Sequence, residues 1–138
     1  MITREEKVKE AIRRMEVLGY FEPSIEEFRK YGKIMINEPP YGAHYYVDED
    51  KELVRKIEDL EANDNAVVYA VVRSWTNVGQ LDSILYVDDW KDDWITFYKD
   101  AQDGITYTCT INRDAPEIVD FGSIRFKRTI AAGIMRAF

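Results

Sequence analysis

Ten consecutive residues, AVVYAVVRSW from Ala66 to Trp75, constrain the fold more than any other part of the chain. The first seven are all apolar or aromatic, and β-branched side chains dominate, a composition that favours strand over helix. A strand with one exposed face alternates apolar and polar side chains, and this segment shows no alternation before Arg73. The pattern predicts a central strand that other elements cover on both faces.

A turn and a second strand follow this segment directly. TNVG, residues 76–79, has the polar and glycine composition of a turn, and LDSILYV, residues 81–87, is again rich in aliphatic side chains. Two such segments with a loop of about four residues between them are typical of an antiparallel hairpin. We therefore expect an antiparallel core over residues 66–87.

Other strands are predicted from short apolar or alternating segments. KIMIN, residues 33–37, is apolar and flanked by breakers, and Pro39-Pro40 predicts a rigid loop or an edge segment after it. Residues 105–111 and 123–129 alternate apolar and polar side chains and are expected to pair antiparallel with each other. The C-terminal IAAGIMRAF is compatible with a last strand, a short helix or a docking tail.

Helices are predicted over four segments: residues 3–18, 24–31, 48–63 and 88–103. Thr3 and Glu6 have the spacing of a capping box at the start of the first. The fourth rests on apolar side chains at intervals of four, three and four, namely Trp90, Trp94, Phe97 and Ala101.

The order of these elements predicts an α+β fold. We expect a single domain over residues 1–138, with one mostly antiparallel sheet of four to five strands and three to four helices packed mainly on one face. Neither a repeat nor a linker-like segment interrupts the sequence.

Cysteine and histidine usage bounds the chemistry. Cys109 and His44 each occur once, so neither an internal disulfide nor a Cys/His metal site with the usual spacing can form. Alternation places Cys109 on the apolar side of its strand, which favours an inert core role. We expect no metal and no cofactor. The N-terminus lacks the apolar run of a signal peptide and no segment has the length of a membrane span, so we expect a cytoplasmic protein that does not enter a membrane.

Charge disfavours nucleic acid as a partner. The formal net charge is -7, and residues 121–138 hold four basic and no acidic side chains, which leaves 15 basic and 26 acidic side chains, a charge of -11, in residues 1–120. An acidic body repels phosphates, and it suits a basic protein partner. A homodimer is the other partner that we expect.

The acidic segment DDWKDDW, residues 88–94, permits three interpretations. Its carboxylates are a possible Mg²⁺ or Ca²⁺ site, but the segment lacks the glycine and the regular oxygen spacing of a calcium loop. Aspartates in a first helical turn stabilise the positive end of the helix, and this explanation needs no ligand. Alternatively, if this helix lies beside the one over residues 48–63, Asp89, Asp92 and Asp93 contribute to an acidic face for a basic partner.

A candidate ligand pocket is predicted where the central strand ends. Arg73 and Trp75 close that strand and Asp82 begins its partner, while His44 and Tyr45 lie in an aromatic loop that could position a general acid or base. Arg73 is the first choice for anchoring an anion. The structural alternative is an Arg73–Asp82 pair across the hairpin.

The absence of a nucleophile, metal or phosphate-loop motif favours a non-enzymatic module that acts through protein contacts. One alternative is a small-ligand-binding protein or enzyme with a pocket near His44 and Arg73. The other is an acidic inhibitor that mimics nucleic acid.

Overall fold

The structure is a computed structural model, and it describes residues 2–17, 26, 29–30, 34–37, 44–45, 50–63, 65–89, 94–111, 114–115, 118–129 and 134–137. Two helices and ten strands are defined among these residues. They are α1 (Arg4–Val17), β1 (Ile34–Asn37), β2 (His44–Tyr45), α2 (Lys51–Asn63), β3 (Val67–Trp75), β4 (Gly79–Val87), β5 (Trp94–Asp100), β6 (Thr106–Thr108), β7 (Thr110–Ile111), β8 (Ile118–Phe121), β9 (Ile124–Thr129) and β10 (Ile134–Ala137).

The strands form two sheets. The first has six strands in the order β2-β1-β3-β4-β5-β6, and the second has four in the order β10-β9-β8-β7. Every pair is antiparallel except β1 with β3. The α+β class and the mostly antiparallel pairing are thus confirmed, whereas the prediction of one sheet of four to five strands is wrong.

The central strand is covered on both faces, as its composition predicts. α1 packs Ala11 and Met15 against Val67 and Val72 of β3. On the opposite face, α2 packs buried leucine and isoleucine side chains against Val68 and Val71. The two described helices therefore lie on opposite faces of the first sheet, and the prediction that helices gather mainly on one face is wrong. A strand that is apolar on both faces must pack against another element on each face. The sequence pattern of a helix does not specify which face of the sheet the helix packs against.

The helix predicted over residues 88–103 is also wrong, because Trp94–Asp100 form strand β5 between β4 and β6. Trp94 packs with the α1 cluster, while Ile95 and Phe97 pack with the α2 cluster. Both faces of β5 thus carry apolar side chains, and the alternation that marks a half-exposed strand is missing. The helical spacing of its aromatic residues is a coincidence.

The second sheet packs on the same face of the first sheet as α1. Leu81 and Tyr98 of the first sheet form a buried cluster with three residues of the second, Val119, Phe121 and Phe126. The segment predicted as one strand over residues 105–111 is divided between β6 in the first sheet and β7 in the second. Half-buried Cys109 lies at this junction and packs against the cluster.

The predicted pairing of residues 105–111 with residues 123–129 is wrong, because β8 lies between β7 and β9. The composition of NRDAPEIVD, residues 112–120, predicts a turn, but its last three residues belong to strand β8. The C-terminal alternative that the structure selects is a strand, β10, which pairs with β9.

The first two predicted helices have different outcomes: the first is confirmed, and most of the second is not described. At the start of α1, the Glu6 amide donates a hydrogen bond to Thr3 Oγ1 at 3.2 Å, as a cap requires. The helix predicted over residues 24–31 lies mostly outside the described residues. No described helix combines the length and apolar composition needed to cross a bilayer.

Candidate ligand cleft

A cleft of about 60 Å³ lies between the N-terminal half of α2 and the face of the first sheet that α2 covers. It opens where β3 ends and β4 begins. Nine residues line it: Asp50, Glu52, Leu53, Lys56, Gln80, Asp82, Phe97, Lys99 and Thr106.

Arg73 closes the inner end of this cleft through two carboxylates. Its Nε and Nη2 donate to the two oxygens of Asp82 at 2.7 and 2.9 Å, and Nη2 also donates to Asp50 Oδ2 at 2.7 Å. The side-chain amide of Gln80 also donates a hydrogen bond, from Nε2 to Asp82 Oδ2 at 3.0 Å. We call Arg73, Asp50 and Asp82 the inner group, and its formal charge is one negative unit. All three side chains are largely shielded from water, so these bonds are charge-assisted contacts of the stronger kind.

The fold brings the inner group together by two independent routes. Arg73 and Asp82 are opposite each other in the β3–β4 register, so the hairpin itself pairs them. Asp50 precedes α2 and caps it, since the Leu53 amide donates to Asp50 Oδ1 at 3.1 Å. Burial raises the pKa of Asp50, but the hydrogen bonds from Arg73 and Leu53 outweigh burial, and its pKa lies below the ordinary value.

Three charged side chains occupy the outer end, and we call Glu52, Lys56 and Lys99 the outer group. Lys56 Nζ and the Thr106 hydroxyl donate to Glu52 Oε1 at 2.8 and 3.0 Å. These two hydrogen bonds, from Lys56 first, together with the charges of Lys56 and Lys99, hold the pKa of Glu52 below its ordinary value. The formal charge of the outer group is one positive unit.

Phe97 lies between the two charged groups on the sheet side of the cleft. Lys56 Nζ lies 4.8 Å from the centroid of its ring, within the range of a cation–π contact. Phe97 is opposite Asp82 in the β4–β5 register and opposite Thr108 in the β5–β6 register. Its ring therefore gives the cleft an apolar wall beside the inner carboxylates.

The lining residues determine which chemical groups the cleft offers. None of the nine described lining residues is a serine, cysteine or histidine, the side chains most often used as nucleophile or general base. Among the residues that the structure describes, no group of three or more His, Cys, Asp or Glu side chains could hold a metal ion. What the cleft offers is fixed charges of both signs.

Two of the predicted pocket residues, Arg73 and Asp82, come together, and they do so as the cross-strand pair that was the structural alternative. Trp75 lies opposite Gln80 on the hairpin backbone. His44 and Tyr45 lie in β2, opposite Ile36 and Met35. The side chains of Trp75, His44 and Tyr45 are outside what the structure describes, so their ligand-binding role stays a prediction.

Sequence patterns missed eight of the nine lining residues. Two of them are apolar, Leu53 and Phe97, and six are polar, namely Asp50, Glu52, Lys56, Gln80, Lys99 and Thr106. They come from one helix and three strands, and no spacing along the chain marks them as neighbours. The prediction of a helix over residues 88–103 also placed Lys99 on the wrong kind of element. Only the period of two residues in a strand, applied to residues 95–100, could have suggested that Phe97 and Lys99 share a face.

Asp89 has an intramolecular partner in the structure. Lys7 is buried on α1, with 1% of its side chain exposed, and its Nζ lies 2.9 Å from Asp89 Oδ1. Lys7 Nζ also donates to the Asn65 carbonyl oxygen at 2.7 Å. Asp92 and Asp93 lie outside the described residues. The acidic face was predicted for two adjacent helices, and one of them is replaced by strand β5 over residues 94–100. The partner-binding role of the three aspartates therefore stays a prediction.

Comparison of the chain with protein-family models, with curated proteins and with solved structures finds no match.

Proposed function

We propose that this protein is a non-enzymatic binding module that holds a small polar ligand in the cleft between α2 and the first sheet. The observation that carries the proposal is the convergence of charged side chains of both signs from α2, β4 and β5 on one concave site. Helices and strands position such groups more precisely than loops do. A small-molecule site owes its specificity to precisely positioned polar groups.

The state of the charged groups supports binding without turnover. Arg73 is engaged by two carboxylates, and Glu52 by Lys56 and Thr106. A general base must be free to take a proton from the substrate, and carboxylates with lowered pKa values are weak bases. The pKa values of both Asp50 and Glu52 are lowered.

Binding is tested by NMR titration of the isotope-labelled protein with small anions, cations and zwitterions at constant ionic strength. A ligand in the cleft should shift the backbone amides of Gln80, Lys99 and Thr106. The variant Lys99→Gln should weaken binding of any ligand with an anionic group by about fivefold, because it removes one exposed cation from the outer group.

Lys9→Gln is the matched control, because Lys9 is exposed on α1, which packs on the opposite face of the sheet. It should leave the affinity unchanged. The proposal fails if no compound of the panel shifts these amides in the millimolar range, or if the two lysine variants behave alike.

Protein contacts are a second candidate, favoured by exposed apolar side chains on an edge strand. Ile105 and Tyr107 are 52% and 37% exposed, and β6 pairs with β5 alone among the described strands. An open edge with apolar neighbours can accept a strand from a basic protein or from a second copy. Ile105→Glu should then abolish a complex detected by light scattering or co-elution, whereas Ile124→Glu tests a half-buried position in the second sheet.

The third hypothesis, mimicry of nucleic acid, requires carboxylates at phosphate-like spacing. Competition of the protein with a duplex for a basic partner tests it, and Asp92→Asn with Asp93→Asn should weaken that competition if the hypothesis holds.

A further inference from the structure

The cleft has a charge asymmetry that points to a class of ligand. The inner group combines one guanidinium with two carboxylates, and the outer group combines two ammonium groups with one carboxylate. The cleft as a whole is neutral, but its inner end is negative and its outer end is positive. A ligand that complements both ends must itself carry a cation and an anion.

The distance between the two ends suits a short ligand. Asp82 and Gln80 lie two residues apart on β4, and Gln80 is opposite Lys99 in the β4–β5 register. Two residues span about 7 Å along a strand. The two charged groups therefore start from neighbouring positions of the same sheet face, which favours a ligand whose two charges are only a few bonds apart.

The volume of the cleft leads to the same conclusion. About 60 Å³ accommodates on the order of five water molecules. This space suits a head group of a few heavy atoms, and Phe97 presents an apolar surface for the carbon that joins its charged ends. Any larger part of the ligand must extend through the open side of the cleft.

We infer that the ligand is a small zwitterion with the head group of an α-amino acid, its ammonium at Asp50 and Asp82 and its carboxylate at Lys56 and Lys99. This inference rests on the proposed function, since it names the ligand class for the same cleft. An anion alone meets the negative inner group and a cation alone meets the positive outer group. Both kinds of ligand lack half of the favourable contacts.

The test compares glycine and L-alanine with acetate and methylammonium in the NMR titration of the full chain. Either amino acid should bind at least about tenfold more tightly than acetate or methylammonium, because it pairs with both ends. The shifted amides should include Leu53 beside the inner group and Lys99 beside the outer group.

Asp50→Asn gives a second, independent readout. Asparagine preserves the helix cap but makes the inner group neutral. The affinity for glycine should fall and the affinity for acetate should rise, a crossover that a loss of folding cannot produce.

The outcomes separate the two proposals. If acetate or methylammonium binds the cleft as tightly as glycine, the zwitterion inference is overturned and the cleft keeps its binding function. If the amino acids bind only at other amides, the zwitterion inference alone is overturned. If no anion, cation or zwitterion shifts the cleft amides, both proposals are overturned.

Discussion

Arg73 shows how one residue links the stability of this protein to its candidate site. Its guanidinium is 11% exposed and joins β3, β4 and the start of α2 through Asp82 and Asp50. If the cation is removed, a shielded carboxylate keeps its unfavourable desolvation free energy and loses the ion pair that offsets it. Arg73 therefore stabilises the wall of the cleft as well as its charge.

We expect Arg73→Met to lower the free energy of unfolding by about 2 to 3 kcal/mol at neutral pH, since it leaves two carboxylates unpaired. Urea titration measures this difference. In the wild type, the pKa of Asp50 is lowered in the folded state, so its contribution is present above its unfolded pKa and is lost as the pH falls through the folded value. The gap between variant and wild type should accordingly narrow below about pH 4.

Arg125→Met is the control for this variant, because Arg125 forms the same kind of cross-strand pair with Asp120 but is 55% exposed. Exposed pairs contribute little. Equal destabilisation by the two variants would contradict the role assigned to Arg73.

Lys7 is a second residue that joins distant segments, and no local pattern reveals its environment. Lys7→Met retains the apolar stem but removes the donor to the Asn65 carbonyl oxygen and the cation paired with Asp89. We expect the free energy of unfolding to fall by about 1 to 3 kcal/mol, the usual contribution of hydrogen bonds to a charged group. Lys9→Met, at an exposed position of the same helix, should have little effect in the same thermal or urea unfolding experiment. An unchanged Lys7 variant would show that this ion pair is dispensable.

At the scale of elements, the β3–β4 hairpin depends on Gly79. Thr76 closes the turn, with its amide and its hydroxyl both donating to the Gly79 carbonyl oxygen at 2.8 Å. A Cβ on Gly79 would lie 2.1 Å from the Lys99 carbonyl oxygen on β5 and 2.7 Å from the Tyr98 ring. The turn and the next strand pair thus both require glycine at this position.

Gly79→Ala should cost about 2 to 4 kcal/mol, since either β4 or β5 must shift to remove the overlap. Gly122→Ala is the comparison, because Gly122 has a φ of 62° but nothing within 4 Å of its Cβ position. That variant should lose only about 1 kcal/mol, the cost of the left-handed conformation. Equal losses in urea unfolding would mean that backbone conformation, and not the contact with β5, determines the requirement.

At the scale of the whole molecule, the two sheets are joined by an aromatic cluster. Phe126 is fully buried, and its ring centroid lies 5.5 Å from that of Tyr98 in the first sheet and 5.3 Å from that of Phe121. The same cluster contains Leu81, which belongs to the hairpin that forms the cleft. Because residues of both sheets bury one another, we expect them to unfold together.

Phe126→Ala should lower the free energy of unfolding by about 3 to 5 kcal/mol through the cavity it creates. Tryptophan fluorescence and far-UV circular dichroism should report the same reduced midpoint, because Trp75 and Trp94 are in the first sheet and Phe126 is in the second. Tyr107→Ala, at a 37% exposed position, should cost much less. Separate transitions from the two probes would show that the sheets unfold independently.

The sequence by itself determined the features that depend on neighbours along the chain. The capped start of α1, the hairpin and the two covered faces of β3 follow from side chains a few residues apart, whose spacing is the period of the helix or strand. The same patterns predicted the Arg73–Asp82 pair as one of two alternatives, because hairpin register places the two residues opposite each other.

Only the tertiary structure decided the features that join distant segments. Segment 94–100 became a strand because it pairs with β4 and β6 and is packed on both faces, and those contacts overrule its helical spacing. Lys7 meets Asp89, and Glu52 meets Thr106, across separations of 82 and 54 residues. Such contacts produce no periodic pattern in the sequence. The charged groups of the cleft therefore come together only when α2 packs on the first sheet.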